Sequence, residues 1–138
     1  MDTLFHRIDA IMAGVGGIFG WFFGGFDGFF YALVAFTAID YFSGVLAAAI
    51  QRELSSAIGF RGIARKVMIF ALVGICHILD AEFLRHGDVL REAVTFFYLA
   101  NEGLSILENA VKIGVPTPGF LREKLLQINS GGKGQGEK

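Results

Sequence analysis

The chain is built from apolar segments of nearly bilayer length, and this feature limits its folds most severely. Ile8 to Gly25 holds one charge, Asp9, and Gly28 to Ile50 holds one, Asp40. Val67 to Leu79 is apolar up to His77. About 18 or more nearly uncharged apolar residues read as a membrane span. Composition agrees: 54% of residues are hydrophobic and 18% charged, against about 25% charged in an average soluble domain. So little charge cannot coat a water-soluble domain of this size. The expected fold class is all-α, an integral membrane helical protein with four transmembrane helices, the fourth amphipathic, and both termini cytoplasmic.

The length of 138 residues gives room for three or four spans and a short tail. It does not accommodate most transporters built from inverted repeats, and no internal repeat is visible. A net charge of -1 and the lack of a basic stripe with interleaved aromatics leave no nucleic-acid partner. One cysteine, Cys76, excludes an intrachain disulfide and a multi-cysteine metal site. Arg7 before an apolar stretch resembles a signal-peptide start, but Asp2, Asp9 and the lack of an A-x-A site argue against cleavage.

The first span, about Ile8 to Phe23, is rich in glycine. Gly16, Gly20 and Gly24 recur every four residues and predict one helical face on which another backbone can approach closely. That face serves either self-association or tight packing within the chain. Gly24 to Gly28 reads as a turn, and the Trp, Tyr and Phe around it suit headgroup depth. The second span carries Asp40 near its middle, on a face with Thr37, Gly44 and Ala48. A carboxylate there is expected to point into a bundle or towards water.

Residues 51–66 read as a loop with Arg52, Arg61, Arg65 and Lys66 against Glu53 alone. Short basic loops stay cytoplasmic, which also places the N-terminus inside. In the third segment, about Ile63 to Phe83, His77 and Asp80 lie three apart on one face. They form either a proton-sensitive pair or a structural hydrogen-bonded pair. No further His or Cys is near enough for a metal site. Residues 82–92 have no basic excess and suit an outside loop.

The fourth segment, about Val89 to Ile113, has a narrow polar stripe: Thr95, Tyr98, Glu102, Ser105, Asn109 and Lys112, widened by Asn101 and Glu108. The stripe lines an aqueous path, packs inside a bundle, or marks a helix lying flat on the membrane. Pro116 and Pro118 stop the helix. Phe120 to Ile128 predicts a short amphipathic surface helix. Residues 1–128 form the membrane domain, and 129–138 a flexible Gly/Lys-rich tail, whose basic excess favours the cytoplasm.

Three blocks carry a family resemblance. IDYFSGVLAAAIQRELSSAIGFRGIARKVMIFALVGICHILD, at 39–80, is similar to the characteristic block of the toxin-secretion and phage-lysis holins, a group that includes holins of clostridial toxin loci and of phages of Gram-positive hosts. FFYLANEGLSILENAVKIGVPTP, at 96–118, resembles that family's C-terminal signature, and GWFFGGFDGFFYALVAF its N-terminal hairpin. The resemblance spans about 120 residues by these blocks, nearly the whole chain.

The resemblance implies a non-enzymatic protein with no catalytic residues, cofactor or metal. It would accumulate in the bacterial cytoplasmic membrane and self-assemble into lesions that release a cell-wall hydrolase or toxin. Its partners are then the lipid bilayer and further copies of itself. On this reading Gly16, Gly20, Gly24 and Gly44 are packing or oligomerisation candidates. Asp40, His77, Asp80, Asn101, Glu102, Ser105, Glu108 and Asn109 are intramembrane polar or pore candidates, and Arg52, Arg61, Arg65 and Lys66 form the cytoplasmic basic loop. Two other classes stay open. A small ion channel or proton-coupled carrier would pass ions but no protein. A non-transporting assembly factor or antiholin would permeabilise nothing.

Overall fold

The computed structural model describes residues 1–130. Among these residues there is no strand; the chain forms five α-helices. These are α1 (Asp2–Phe23), α2 (Gly28–Ile50), α3 (Ser56–Leu79), α4 (Val89–Ile113) and α5 (Gly119–Ser130), with a π turn (Asp80–Leu84) extending α3. The predicted tail falls on 129–138; Asn129 and Ser130 belong to α5, and 131–138 lie outside the described residues.

Local sequence sets the helix ends. At the end of α1, Gly24 takes a left-handed conformation (φ 80°) and its N–H donates to the Gly20 carbonyl, a conformation that costs glycine no Cβ clash. Asp27 caps α2, its carboxylate accepting from the Phe30 N–H at 2.9 Å. Ser55 caps α3 in the same way through the Ile58 N–H at 3.2 Å. Gly114 (φ 98°) closes α4, and Pro116 and Pro118 follow in the linker.

The Ser55 cap corrects the reading of 51–66 as a loop. Only residues 51–55 connect α2 to α3, and Arg61, Arg65 and Lys66 sit on the helix. A serine hydroxyl competes for the first free amide groups of a helix, so the helix starts where the charge pattern suggested a loop.

Helices α2 and α4 run parallel with a nearly constant register. Asp27 meets Arg91, the Phe29 and Phe96 rings stand 4.7 Å apart, Phe36 lies against Gly103, and Asp40 meets Asn109. Helix α3 runs antiparallel to both, with Lys66 at Asp40 and Glu102 and Asp80 at the start of α4. A small apolar core of Leu33, Ile69 and Val73, backed by Phe70, Val94, Tyr98 and Leu99, fills the space between them.

Helix α1 docks only by its C-terminal turn. Phe22 sits on Gly74, and the Phe23 ring stands 4.9 Å from Phe30 and 6.0 Å from Phe70. Residues 1–15 are exposed throughout. Helix α5 folds back along α4 and places Leu125 against Gly103, so the predicted surface helix forms but lies on α4.

Most large apolar side chains face outward; Phe42 is 72% and Phe60 75% exposed. A soluble domain would not present so much contiguous apolar surface to water. Two helical stretches, Gly28–Ile50 and Ser56–Leu84, are long and apolar enough to cross a membrane.

Candidate functional site

Three charged side chains from three helices meet inside this apolar frame. Asp40 comes from α2, Lys66 from α3 and Glu102 from α4. The Lys66 ammonium donates to Asp40 Oδ2 at 2.6 Å and to Glu102 Oε2 at 2.5 Å. Asp40 and Glu102 are both buried, and Lys66 is nearly so. Asn109 Nδ2 donates to Asp40 Oδ1 at 3.0 Å, with the Asp40 carbonyl and Ser43 Oγ also within reach. Gly44 lies beside this contact, where a Cβ would stand 3.5 Å from Asn109 Nδ2, an ordinary van der Waals distance.

Each polar group thus finds a partner within one chain. A buried ion is costly unless it is paired and hydrogen-bonded. One ammonium here serves two carboxylates, so Lys66 ties α3 to α2 and α4 at once. With all three ionised, the trio carries one excess negative charge.

A cleft of about 670 Å³ opens beside this trio, between α2, α3 and α4. Asn101, Ser105 and Asn109 line its α4 wall, and Arg61 and Arg65 its α3 wall. The polar stripe of α4 therefore faces the bundle: Arg91, Thr95, Glu102 and Asn109 are buried on it. Thr95, Glu102 and Asn109 of the stripe pack against the bundle, while Asn101, Glu108 and Lys112 stay exposed.

A second polar layer closes the other end of the bundle, about 20 Å along α2 at 1.5 Å per residue. Arg91 is its centre and is 1% exposed. Its guanidinium donates to Asp27 Oδ2 at 2.7 Å and to the carbonyls of Phe23 at 2.5 Å and Gly25 at 3.1 Å. It therefore gathers up the end of α1 and the α1–α2 turn, whose carbonyls would otherwise lack donors. The hydrogen bond from Arg91 holds the Asp27 carboxyl below its ordinary pKa.

The expected His77/Asp80 pair does not form. Asp80 turns instead to the start of α4, accepting from the Leu90 and Arg91 N–H groups at 3.1 and 2.8 Å. Free amides at a helix start bind a carboxylate strongly, and they outcompete the neighbouring imidazole. His77 faces Asp88, with Nδ1 3.4 Å from Oδ1, and packs over Gly24.

On the glycine face, Gly24 is the left-handed cap of α1, its N–H on the Gly20 carbonyl, and it packs tightly against His77 and Arg91. A Cβ at Gly20 would stand 3.6 Å from Phe26, while one at Gly16 would meet nothing within 4 Å. Glu108 is exposed, lining a smaller hollow of about 280 Å³ with Lys112 and Arg122. Arg52 lies in the short α2–α3 connection with φ 57°.

Residues 17–130 match the sequence profile described as the bacteriophage holin family. The chain belongs to the bacteriophage holin family. It is 36% identical over 106 residues to a protein of Bacillus phage phi105 named "Probable holin", covering 77% of this chain and 78% of that one. It is 48% identical over 113 residues to an uncharacterized protein of Listeria monocytogenes, covering 82% and 80%. An uncharacterized 14.9 kDa protein of Clostridium perfringens is 36% identical over 131 residues, covering 94% and 98%. No solved structure matches the chain. Holin-family membership makes this a membrane protein of a non-enzymatic, oligomer-forming class.

For a holin-family chain the residues that sequence reading missed are instructive. Lys66 is the hub of the buried trio, yet it follows Arg65 as if it were one more loop charge. Arg91 and Asp27 were placed in connecting segments. A signal for both existed: Asp27 precedes an apolar run as an N-cap does, and Arg91 follows Asp88 at the start of α4 in the position of a first-turn residue.

Proposed function

We propose that the protein is a holin that self-assembles in the bacterial cytoplasmic membrane into permeabilising lesions through which a cell-wall hydrolase or toxin leaves the cell. In this reading α1 to α4 all cross the bilayer, with both termini and the Arg52, Arg61 and Arg65 end in the cytoplasm. The parallel register of α2 and α4 supports a spanning α4, because a helix locked along the length of a spanning neighbour cannot lie flat.

The observation that carries this function is the trio of Asp40, Lys66 and Glu102, satisfied within a single chain. A monomer that pairs its own charges can accumulate in lipid without conducting. Separating α3 from α2 and α4 exposes the same groups together with Asn101, Ser105 and Asn109. These side chains are stable only when hydrated, so an opened array favours water and recruits further copies whose polar faces join it. The free face around Gly16 on α1 gives copies a place to meet. The released enzyme or toxin need not touch the protein.

The test is inducible expression in a bacterium, with and without a signal-less cell-wall hydrolase in the cytoplasm, following turbidity and hydrolase release. The expected result is abrupt lysis only when both proteins are present. Depolarisation without hydrolase release would favour a small ion channel, and no permeability at all an assembly factor or antiholin.

A further inference from the structure

The cleft beside the trio has a wall that the proposed lesion does not use. On α3, Ile58, Arg61, Arg65, Met68 and Leu72 follow each other in steps of three and four and line the cleft together. Beyond Ile58, the arginines lie nearer the start of the helix and Met68 and Leu72 deeper. Asp40 and Glu102 are both taken by Lys66. Among the described residues neither Arg61 nor Arg65 has a carboxylate within ion-pair distance. The arginines therefore present charge without a carboxylate partner among the described residues, at the mouth of a cavity whose deeper α3 wall, at Met68 and Leu72, is apolar.

From Arg61 to Asp80 the helix rises about 28 Å at 1.5 Å per residue, close to the roughly 30 Å of a bilayer's hydrocarbon core. With Asp80 and Arg91 at one membrane face, Arg61 stands at the other, at headgroup level. Tyr41 reaches to the same level, its hydroxyl 3.6 Å from where a Cβ of Gly59 would stand. The cleft volume of about 670 Å³ falls within the roughly 300–1,000 Å³ of cavities that hold a bound small molecule.

We propose that this cleft binds one anionic phospholipid, its phosphate on Arg61 and Arg65 and part of an acyl chain along Val45, Met68 and Leu72. Charge complementarity selects the headgroup. A phosphatidylglycerol brings one net negative charge to two unpaired guanidinium groups, which recognise phosphate in a bidentate manner. A phosphatidylcholine brings its own cation and gains little. Basic pockets between membrane helices at the cytoplasmic face hold anionic headgroups in this way. The site rests on the bilayer placement proposed above, and it makes an anionic lipid a wedge between α3 and α2.

The experiment is native mass spectrometry of the full chain in detergent, exposed to equal amounts of phosphatidylglycerol and phosphatidylcholine of the same chain length. Retention of a single phosphatidylglycerol, about tenfold or more over phosphatidylcholine, is expected. Preference should fall to parity in R61Q/R65Q and survive in R52Q, since Arg52 does not line the cleft. Parity in the native chain overturns the site, as does an equal loss in R52Q, which would mean general surface charge. Equal retention of inorganic phosphate assigns the arginines to a free anion and overturns the lipid. Dimers that vanish in R61Q/R65Q assign the cleft to a second copy. Vesicle flotation separates the two levels of failure. R61Q/R65Q that floats but has lost its preference leaves the membrane reading intact and supports the site, whereas a native chain that does not float removes both.

Discussion

The ring of Phe22 fills the hollow that Gly74 leaves on α3, and a Cβ at residue 74 would overlap its edge. Gly74 is buried, and the overlap falls on a half-buried ring next to Phe23, so the ring or the end of α1 must shift to admit it. Gly74→Ala should cost about 1–3 kcal/mol, the usual range for overpacking, by prising α1 from α3. Thermal unfolding of the purified protein in detergent reads this, and Phe22→Leu in the same chain should restore part of the loss. An unchanged melting temperature in Gly74→Ala would mean that α1 is not docked there.

Lys66→Met removes the only cation that Asp40 and Glu102 share among the described residues and leaves two carboxylates facing each other. Removing one partner of a buried ion pair costs about 3–5 kcal/mol. The triple change Lys66→Met, Asp40→Asn and Glu102→Gln should recover more than half of that, because the neutral amides no longer need a counter-ion. Denaturant titration of the three proteins in matched micelles checks both numbers. Equal destabilisation of single and triple variants would show that packing of the lysine stem matters more than its charge.

Acid should loosen the α1–α2 turn before the rest of the bundle. The Asp27 carboxyl is held below its ordinary value of 3.8 by its hydrogen bond to Arg91. Its stabilising contribution is therefore complete above about that value and is lost as pH falls through the lower folded one. Protease susceptibility of the turn, followed from pH 5 downward, should rise in this acid window for the native chain. Asp27→Asn should be susceptible already at neutral pH and show less further change.

Gly24→Ala puts a Cβ into a left-handed residue, at about 1–2 kcal/mol, and within 2.5 Å of where His77 Nδ1 stands. Its loss should exceed that of Gly114→Ala, which shares the positive φ but has open space around it. Comparing the two melting temperatures separates backbone strain from the clash.

Gly16 tests assembly without disturbing the fold. A Cβ at residue 16 would meet nothing within 4 Å, so Gly16→Leu should change the stability by no more than about 0.5 kcal/mol. Lysis in the hydrolase co-expression assay should nevertheless be delayed if copies meet on this face. Unchanged timing at equal protein level would exclude the face from assembly.

The residues explain which parts were legible in advance. Asp40 and the α4 stripe stood out because a carboxylate or a polar periodicity on an apolar helix has few physical explanations. The direction of the stripe stayed open in the sequence, and the structure seats Asp40 with Glu102 and Asn109 in one cluster while Asn101 and Glu108 stay exposed. Lys66 was hidden by composition: next to Arg61 and Arg65 it looked like part of a solvated run, and only the Ser55 cap marks the helix that carries it inward. Gly24 fitted a four-residue spacing but is also the place where a helix stops, and the turn geometry prevailed. His77 and Asp80 shared a face, yet a carboxylate bonds what reaches it, and the amides of α4 came closer than the imidazole.

The two ends of α3 are fastened differently. At one end Asp80 grips the backbone of α4 at two amides. Towards the other end Lys66 ties the helix to Asp40 and Glu102, and Tyr41 packs against Gly59 and Gly62. On the proposed opening, loss of the Lys66 contact would leave the Asp80 end of α3 still fastened through the α4 amides, so separation from α2 and α4 should begin on the side where the arginines stand.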